Sequence, residues 1–179
     1  MDLVNVKSCQ MPIDQNLNQK HGVGLSITDI AYLSNVNLIA ISSTKCCLEL
    51  YDYHSLQTNG DFDKKVTIAG LEICATCIDY WVDPEDVSHA ILIWGDSRGS
   101  ITALIFKGCP DLCVLNSKVS RQKSTKLHML QIAKGRVCGT KLVKFEDIHH
   151  DFVKKVKYEP TLGVFLSSSS DCKFADMAQ

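Results

Sequence analysis

Short apolar runs with a period of two residues are the feature that most constrains this chain. In its first part they cover Ile27–Leu33, Leu38–Ile41 and Cys47–Tyr53, and turn-forming residues separate them. Alternation of apolar and polar residues over such short stretches is typical of strands with one buried face, whereas an amphipathic helix has a period near 3.6. The sequence therefore predicts an all-β protein built from short antiparallel strands.

The same unit of three runs occurs twice more. Its later copies consist of Ile73–Val82, Ala90–Trp94 and Ile101–Phe106, and of Phe152–Tyr158, Leu162–Leu166 and Cys172–Met177. Each copy opens with an apolar residue, any residue and a tyrosine. We expect the six residues of these pairs to lie, mostly buried, on the first full strand of three successive sheets: Ile30, Tyr32, Ile78, Tyr80, Val156 and Tyr158.

The spacing of the copies predicts an insertion. Ile78 follows Ile30 by 48 residues, and Val156 follows Ile78 by 78 residues. The longer spacing leaves room for about 30 additional residues, which we place within Lys107–Lys144, between the second and third copies.

These copies resemble WD repeats. Tyr51 and Asp52 stand where that family has its Trp-Asp pair, Asp96 lies in the turn between the second and third strands, and the third copy carries the most family positions. Those positions are His149, Asp151, Phe152, Val153, Val156, Tyr158 and Pro160. The sequence of these copies is most similar to cilium-associated animal WD-repeat proteins, some of which carry an EF-hand module.

The resemblance implies a partial β-propeller of about three WD-type blades, near residues 27–53, 73–106 and 145–177, with a basic insertion at 107–144. Residues 1–26 would form an N-terminal segment, partly disordered or an outer strand. Closed propellers have about four to eight blades, so we expect a fragment, a truncated isoform or an incomplete gene model. The remaining blades would be partners of this piece. In the third copy the resemblance also implies a structural hydrogen-bond network of His149, Ser168 and Asp171.

The implied function is a non-catalytic scaffold that binds other proteins, without a cofactor. The implied location is the cytoplasm, with the cilium or axoneme as the more specific option. No secretory signal and no membrane-length apolar run is visible. The net charge of −1 makes nucleic acid an unexpected partner. One alternative is a substrate adaptor of a ubiquitin ligase. Another is a metal- or thiol-dependent enzyme module that uses Cys and His side chains.

The cysteines bear on that second alternative. There are nine, an odd number, and we expect reduced thiols that act as small apolar residues. Cys74 and Cys77, with Cys109 and Cys113, could supply four zinc ligands. Residues three apart on a strand point to opposite faces, which disfavours this site.

Two further features are candidates for partner binding. The insertion is rich in basic residues, including Arg121, Lys123 and Lys126, and is either a solvated loop or a docking site for an acidic partner. Within the insertion, we expect the stretch Lys126–Ala133 to form either a short helix or an extra outer strand. Trp81 is either a core aromatic residue or an exposed binding anchor.

Overall fold

A computed structural model describes residues 26–59, 63–108 and 125–178. The strands in chain order are β1 (Ile27–Leu33), β2 (Leu38–Ser43), β3 (Cys47–Asp52), β4 (Lys64–Ala69), β5 (Ala75–Val82), β6 (Ala90–Asp96), β7 (Ile101–Phe106), β8 (Thr125–His128), β9 (Thr140–Phe145), β10 (Val153–Glu159), β11 (Val164–Ser169) and β12 (Phe174–Ala178). The helices are α1 (Tyr53–Asn59) and α2 (Met129–Ala133). Among the described residues, no helix has the length and hydrophobicity that crossing a membrane requires.

The strands form three sheets. Sheet I has the order β1-β2-β3-β4-β8, sheet II the order β5-β6-β7-β9, and sheet III the order β10-β11-β12. Neighbouring strands are antiparallel, apart from β8, which pairs in parallel with β4. The predicted all-β class and its antiparallel strands are therefore confirmed.

Two of the sheets extend further than the sequence pattern indicates. The pattern includes neither β4 nor helix α1. All but the last residue of β9 lies in the stretch assigned to an insertion, although β9 is the fourth strand of sheet II. The reason is that β4 buries only Val66 and Ile68, and β9 interleaves lysines with half-buried apolar residues. Neither strand has a long enough apolar alternation to stand out.

The first strands of the three sheets share one irregularity. The pairing register shifts at Thr28 in β1, at Thr76 in β5 and at Lys154 in β10. These residues have the same spacings as the apolar-x-Tyr pairs and precede them by two positions. A shift of this kind inserts one extra residue and bends the strand, so all three sheets bend at the same place.

Sheet II lies between the other two sheets, and β6 is buried along its whole length. Alternate residues of β6 serve opposite sides. Leu92 and Trp94 pack into a core shared with sheet I, and Ile91 and Ile93 pack into a core shared with sheet III. The middle of sheet II is thus buried on both faces, which explains why β6 and β7 are almost continuously apolar.

The apolar-x-Tyr residues lie on β1, β5 and β10, as expected, but one pair is not buried. Ile78 and Val156 are buried, whereas Ile30 is 57% exposed and Tyr32 is 49% exposed. The prediction of mostly buried side chains is therefore wrong for β1. The physical reason is that no sheet within the described part of the chain covers that face of sheet I.

Candidate interaction surfaces

His149 joins sheet II to sheet III. Its ring is fully buried, with Nδ1 3.3 Å from Asp171 Oδ2 and Nε2 2.8 Å from Ser167 Oγ. Since a carboxylate can only accept, the tautomer that satisfies both contacts carries its proton on Nδ1, and Nε2 accepts from the Ser167 hydroxyl. The sequence analysis assigned this contact to Ser168, which is wrong by one position. Neighbouring residues of a strand point to opposite faces, so only Ser167 faces the His149 ring.

The Asp171 carboxylate organises the turn between β11 and β12. Burial alone would raise the pKa of Asp171, but the backbone N–H groups of His150 and Lys173 donate to its carboxylate. Together with the His149 ring they lower the pKa to about 2. Asp151, also a predicted repeat position, is exposed and accepts from the backbone N–H of Phe152 at 2.7 Å. These contacts fix loops and satisfy buried polar groups.

The predicted turn residue Asp96 positions the backbone that His149 contacts. Its carboxylate accepts from the N–H groups of Arg98 and Ser100 and closes a tight turn. At the end of this turn Gly99, with φ +85°, presents its carbonyl to the His149 N–H at 3.1 Å. A Cβ built on Gly99 would lie 2.1 Å from the His149 carbonyl oxygen, so the position requires glycine.

Threonine hydroxyls connect each first strand to the next. Thr28 Oγ1 donates to the Ala75 carbonyl at 2.7 Å, and Thr76 Oγ1 donates to the Val153 carbonyl at 2.6 Å. Both donors are the extra residues at the register shifts. The sequence analysis did not identify them, although both precede an apolar-x-Tyr pair by two positions. In sheet III the same position is Lys154, which has no hydroxyl.

The open face of sheet I carries the exposed pair of β1. The register places Ile30 beside Ile41, and Tyr32 beside Ile39. Tyr32 also contacts Tyr53 of α1, with ring centroids 5.2 Å apart. Ile39 is half-buried and Ile41 is buried, and we refer to Ile30, Tyr32 and Ile39 as the open face.

Tyr51 and Asp52, the predicted Trp-Asp equivalents, lie at the end of β3 beside this face. Tyr51 is buried and its hydroxyl donates to Glu49 at 3.0 Å, while Lys64 pairs with Glu49 at 2.9 Å. Burial and the Glu49 charge raise the pKa of Tyr51. The Asp52 carboxylate accepts from the N–H of His54 at 2.9 Å and so begins helix α1. Glu49, a largely buried carboxylate, was not predicted.

The remaining tyrosines and Trp81 lie between sheets. The Tyr80 hydroxyl donates to Asn35 Oδ1 of sheet I at 2.6 Å. Trp81 is half-buried, and its ring packs edge-on against Tyr158 of sheet III at 5.0 Å. Trp81 therefore contacts a neighbouring sheet of its own chain, which favours its interpretation as a core aromatic residue.

The described part of the basic stretch is folded onto the sheets. The stretch Lys126–Ala133, expected to be a helix or a strand, contains both, since β8 is followed directly by α2. Lys126 is exposed on β8. Arg121 and Lys123 lie outside the described residues.

The cysteines show no arrangement for metal binding in the described ranges. Cys77 is buried in β5, and this burial raises the pKa of its thiol to about 11. Cys74 lies just before β5, and Cys109 and Cys113 lie outside the described residues. Within residues 26–59, 63–108 and 125–178, no three Cys, His, Asp or Glu side chains are grouped to hold a metal ion.

No family model matches the chain.

Proposed function

We propose that this chain is a non-catalytic protein-interaction scaffold and a section of a WD-type β-propeller, in which each sheet is one blade. The three sheets support this proposal because they bend at equivalent residues and pack face to face. Their junctions use repeated contacts, such as the threonine hydroxyls of Thr28 and Thr76. Such junctions are expected of blades that bury both faces against their neighbours.

One observation carries the proposal. In β5 and β10 the apolar-x-Tyr pair packs against the preceding sheet: Ile78 joins the core with sheet I, and Tyr158 joins the core with sheet II. The equivalent pair of β1, Ile30 and Tyr32, is about half exposed. The open face therefore has the residues of a sheet-to-sheet junction, and a partner sheet is expected to cover it.

Sedimentation velocity of the 179-residue chain over a range of concentrations tests this. We expect concentration-dependent association, because completing the burial of two large, half-exposed side chains contributes roughly 1.5–3 kcal/mol. The double variant Ile30→Lys, Tyr32→Lys should weaken that association by at least about tenfold.

The matched control is the double variant Val87→Lys, Leu162→Lys, which charges two exposed apolar residues that are not part of the open face. Its association should equal that of the unmodified chain. An unmodified chain that is monomeric at every concentration contradicts the proposal, as does equal loss of association in both variants. Stoichiometric zinc in the purified protein would instead support a metal-dependent module.

A further inference from the structure

A groove of about 370 Å³ opens where the connection between β4 and β5, helix α2 and sheet II meet. Leu71 and Trp94 in its lining are buried members of the core that sheets I and II share. Further apolar side chains of the lining are Met129, Leu130 and Leu142. The groove therefore offers an apolar contact surface at the side of this core.

Helix α2 forms a fixed wall of the groove. Ile132 is only 2% exposed and joins the core, while β8, directly before α2, pairs with β4. The His128 ring accepts from the N–H of Leu130 and lies against Gly70, where the Cβ of any other residue would collide with it. Leu130 itself remains 56% exposed. A wall that is held in place before binding reduces the entropic cost of docking a ligand.

The charges in the lining are mostly negative. They comprise three carboxylates, of Glu72, Asp96 and Glu146, and among the described residues a single cation, Lys144. Lys144 Nζ lies 3.1 Å from Glu72 Oε2 and 2.9 Å from Glu146 Oε1, so these two carboxylates are close together. Their side chains are 80% and 66% exposed, and the second oxygen of each makes no hydrogen bond to another described residue. Both carboxylates can therefore accept from a further cation.

We propose that this groove binds a basic segment of a partner protein in which an arginine adjoins a large apolar side chain. The arginine contacts Glu72 and Glu146, because a guanidinium donates through several N–H groups and can serve two carboxylates at once. The apolar side chain packs on the part of the lining that includes Leu130 and Leu142.

Other ligands fit this groove less well. A nucleic acid would bring phosphates next to the carboxylates of the lining, and like charges repel. A small molecule is usually enclosed over most of its surface, whereas Glu72 and Glu146 are largely exposed, as suits an extended chain that lies across the groove. The groove shares no residue with the open face, so the inference holds whether or not that face docks a sheet.

Fluorescence anisotropy with a labelled peptide of glycines and serines around a central Leu-Arg-Leu tests the inference. We expect the peptide to bind the full chain at low salt and to be released as salt increases. The double variant Glu72→Gln, Glu146→Gln should weaken binding about three- to tenfold, because two exposed attractions are lost and the charge of Lys144 is no longer balanced. A peptide with Ser-Arg-Ser at its centre should bind more weakly than the Leu-Arg-Leu peptide.

The matched control is the double variant Glu85→Gln, Asp176→Asn, which changes the net charge equally at two exposed residues outside the lining. Binding by this variant should stay within about twofold of the unmodified chain. Absence of peptide binding at low salt, or equal loss in both variants, overturns the proposal. Tighter binding of a Leu-Glu-Leu peptide overturns the assignment of a basic segment, and equal binding of the Ser-Arg-Ser peptide overturns the apolar contact.

Discussion

The Ser167 hydroxyl, rather than that of Ser168, bonds to His149 because strand side chains alternate. β11 contains three consecutive serines, and nothing in their chemistry distinguishes them. The pairing of Val156 with Ser167 decides which hydroxyl faces the His149 ring. A sequence alignment that is off by one position moves every side chain to the other face of a sheet.

Replacing these serines singly separates the two positions. Ser167→Ala should lower the free energy of unfolding by about 1–3 kcal/mol, because it leaves the buried His149 Nε2 without a partner. Ser168→Ala, with its half-buried side chain on the opposite face, should change it by less than about 0.5 kcal/mol. Urea denaturation followed by circular dichroism measures both values. A larger loss in Ser168→Ala would contradict the hydrogen-bond assignment.

At the scale of elements, strands with a long apolar run or alternation were predictable. Strands with few apolar residues, interrupted by lysines, were not. β1 and β7 match the predicted runs residue for residue, Ile27–Leu33 and Ile101–Phe106. β4, β8 and β9 are edge or near-edge strands of their sheets. Their own residues carry too few apolar side chains to specify them, so pairing rather than local pattern determines them.

The junctions between elements depend on single hydroxyls. Thr76→Val should lower the free energy of unfolding by about 1–2 kcal/mol, because the Val153 carbonyl loses its donor while side-chain shape is conserved. Thr67→Val is the matched control on β4, since the Thr67 hydroxyl makes no hydrogen bond to another described residue. Thermal and urea unfolding of both variants measures the difference. If both variants were equally stable, the junction would not depend on this hydroxyl.

At the scale of the molecule, sheet II is the element on which the other two depend. Adjacent residues of β7 serve different cores, Leu104 on the side of sheet I and Ile105 on the side of sheet III. Sheets I and III share no core cluster within the described part of the chain. Within the described residues the three sheets thus form two successive junctions, and each outer sheet shares a core only with sheet II.

This arrangement predicts that the two outer sheets loosen independently. Leu104→Ala and Ile105→Ala should each cost about 2–5 kcal/mol, because each removes a fully buried side chain. Native-state hydrogen exchange should show Leu104→Ala lowering protection mainly at Leu48 of sheet I, and Ile105→Ala mainly at Phe165 of sheet III. Equal loss of protection at both amides in each variant would indicate one cooperative unit instead.

The sequence by itself determined the strand class, the repetition and the turns, because these depend on local alternation and on residues such as Asp96 and Gly99. The contact between His149 and Asp171 was an expectation from the resemblance to WD repeats, and the structure has that contact. Only the tertiary structure decided which faces are covered. The pairs of β1 and β5 share their pattern, yet Tyr32 is half exposed while Tyr80 bonds to a neighbouring sheet. Burial depends on what packs against a face of a strand. An alternating pattern predicts which residues share a face, but it does not predict what packs against that face.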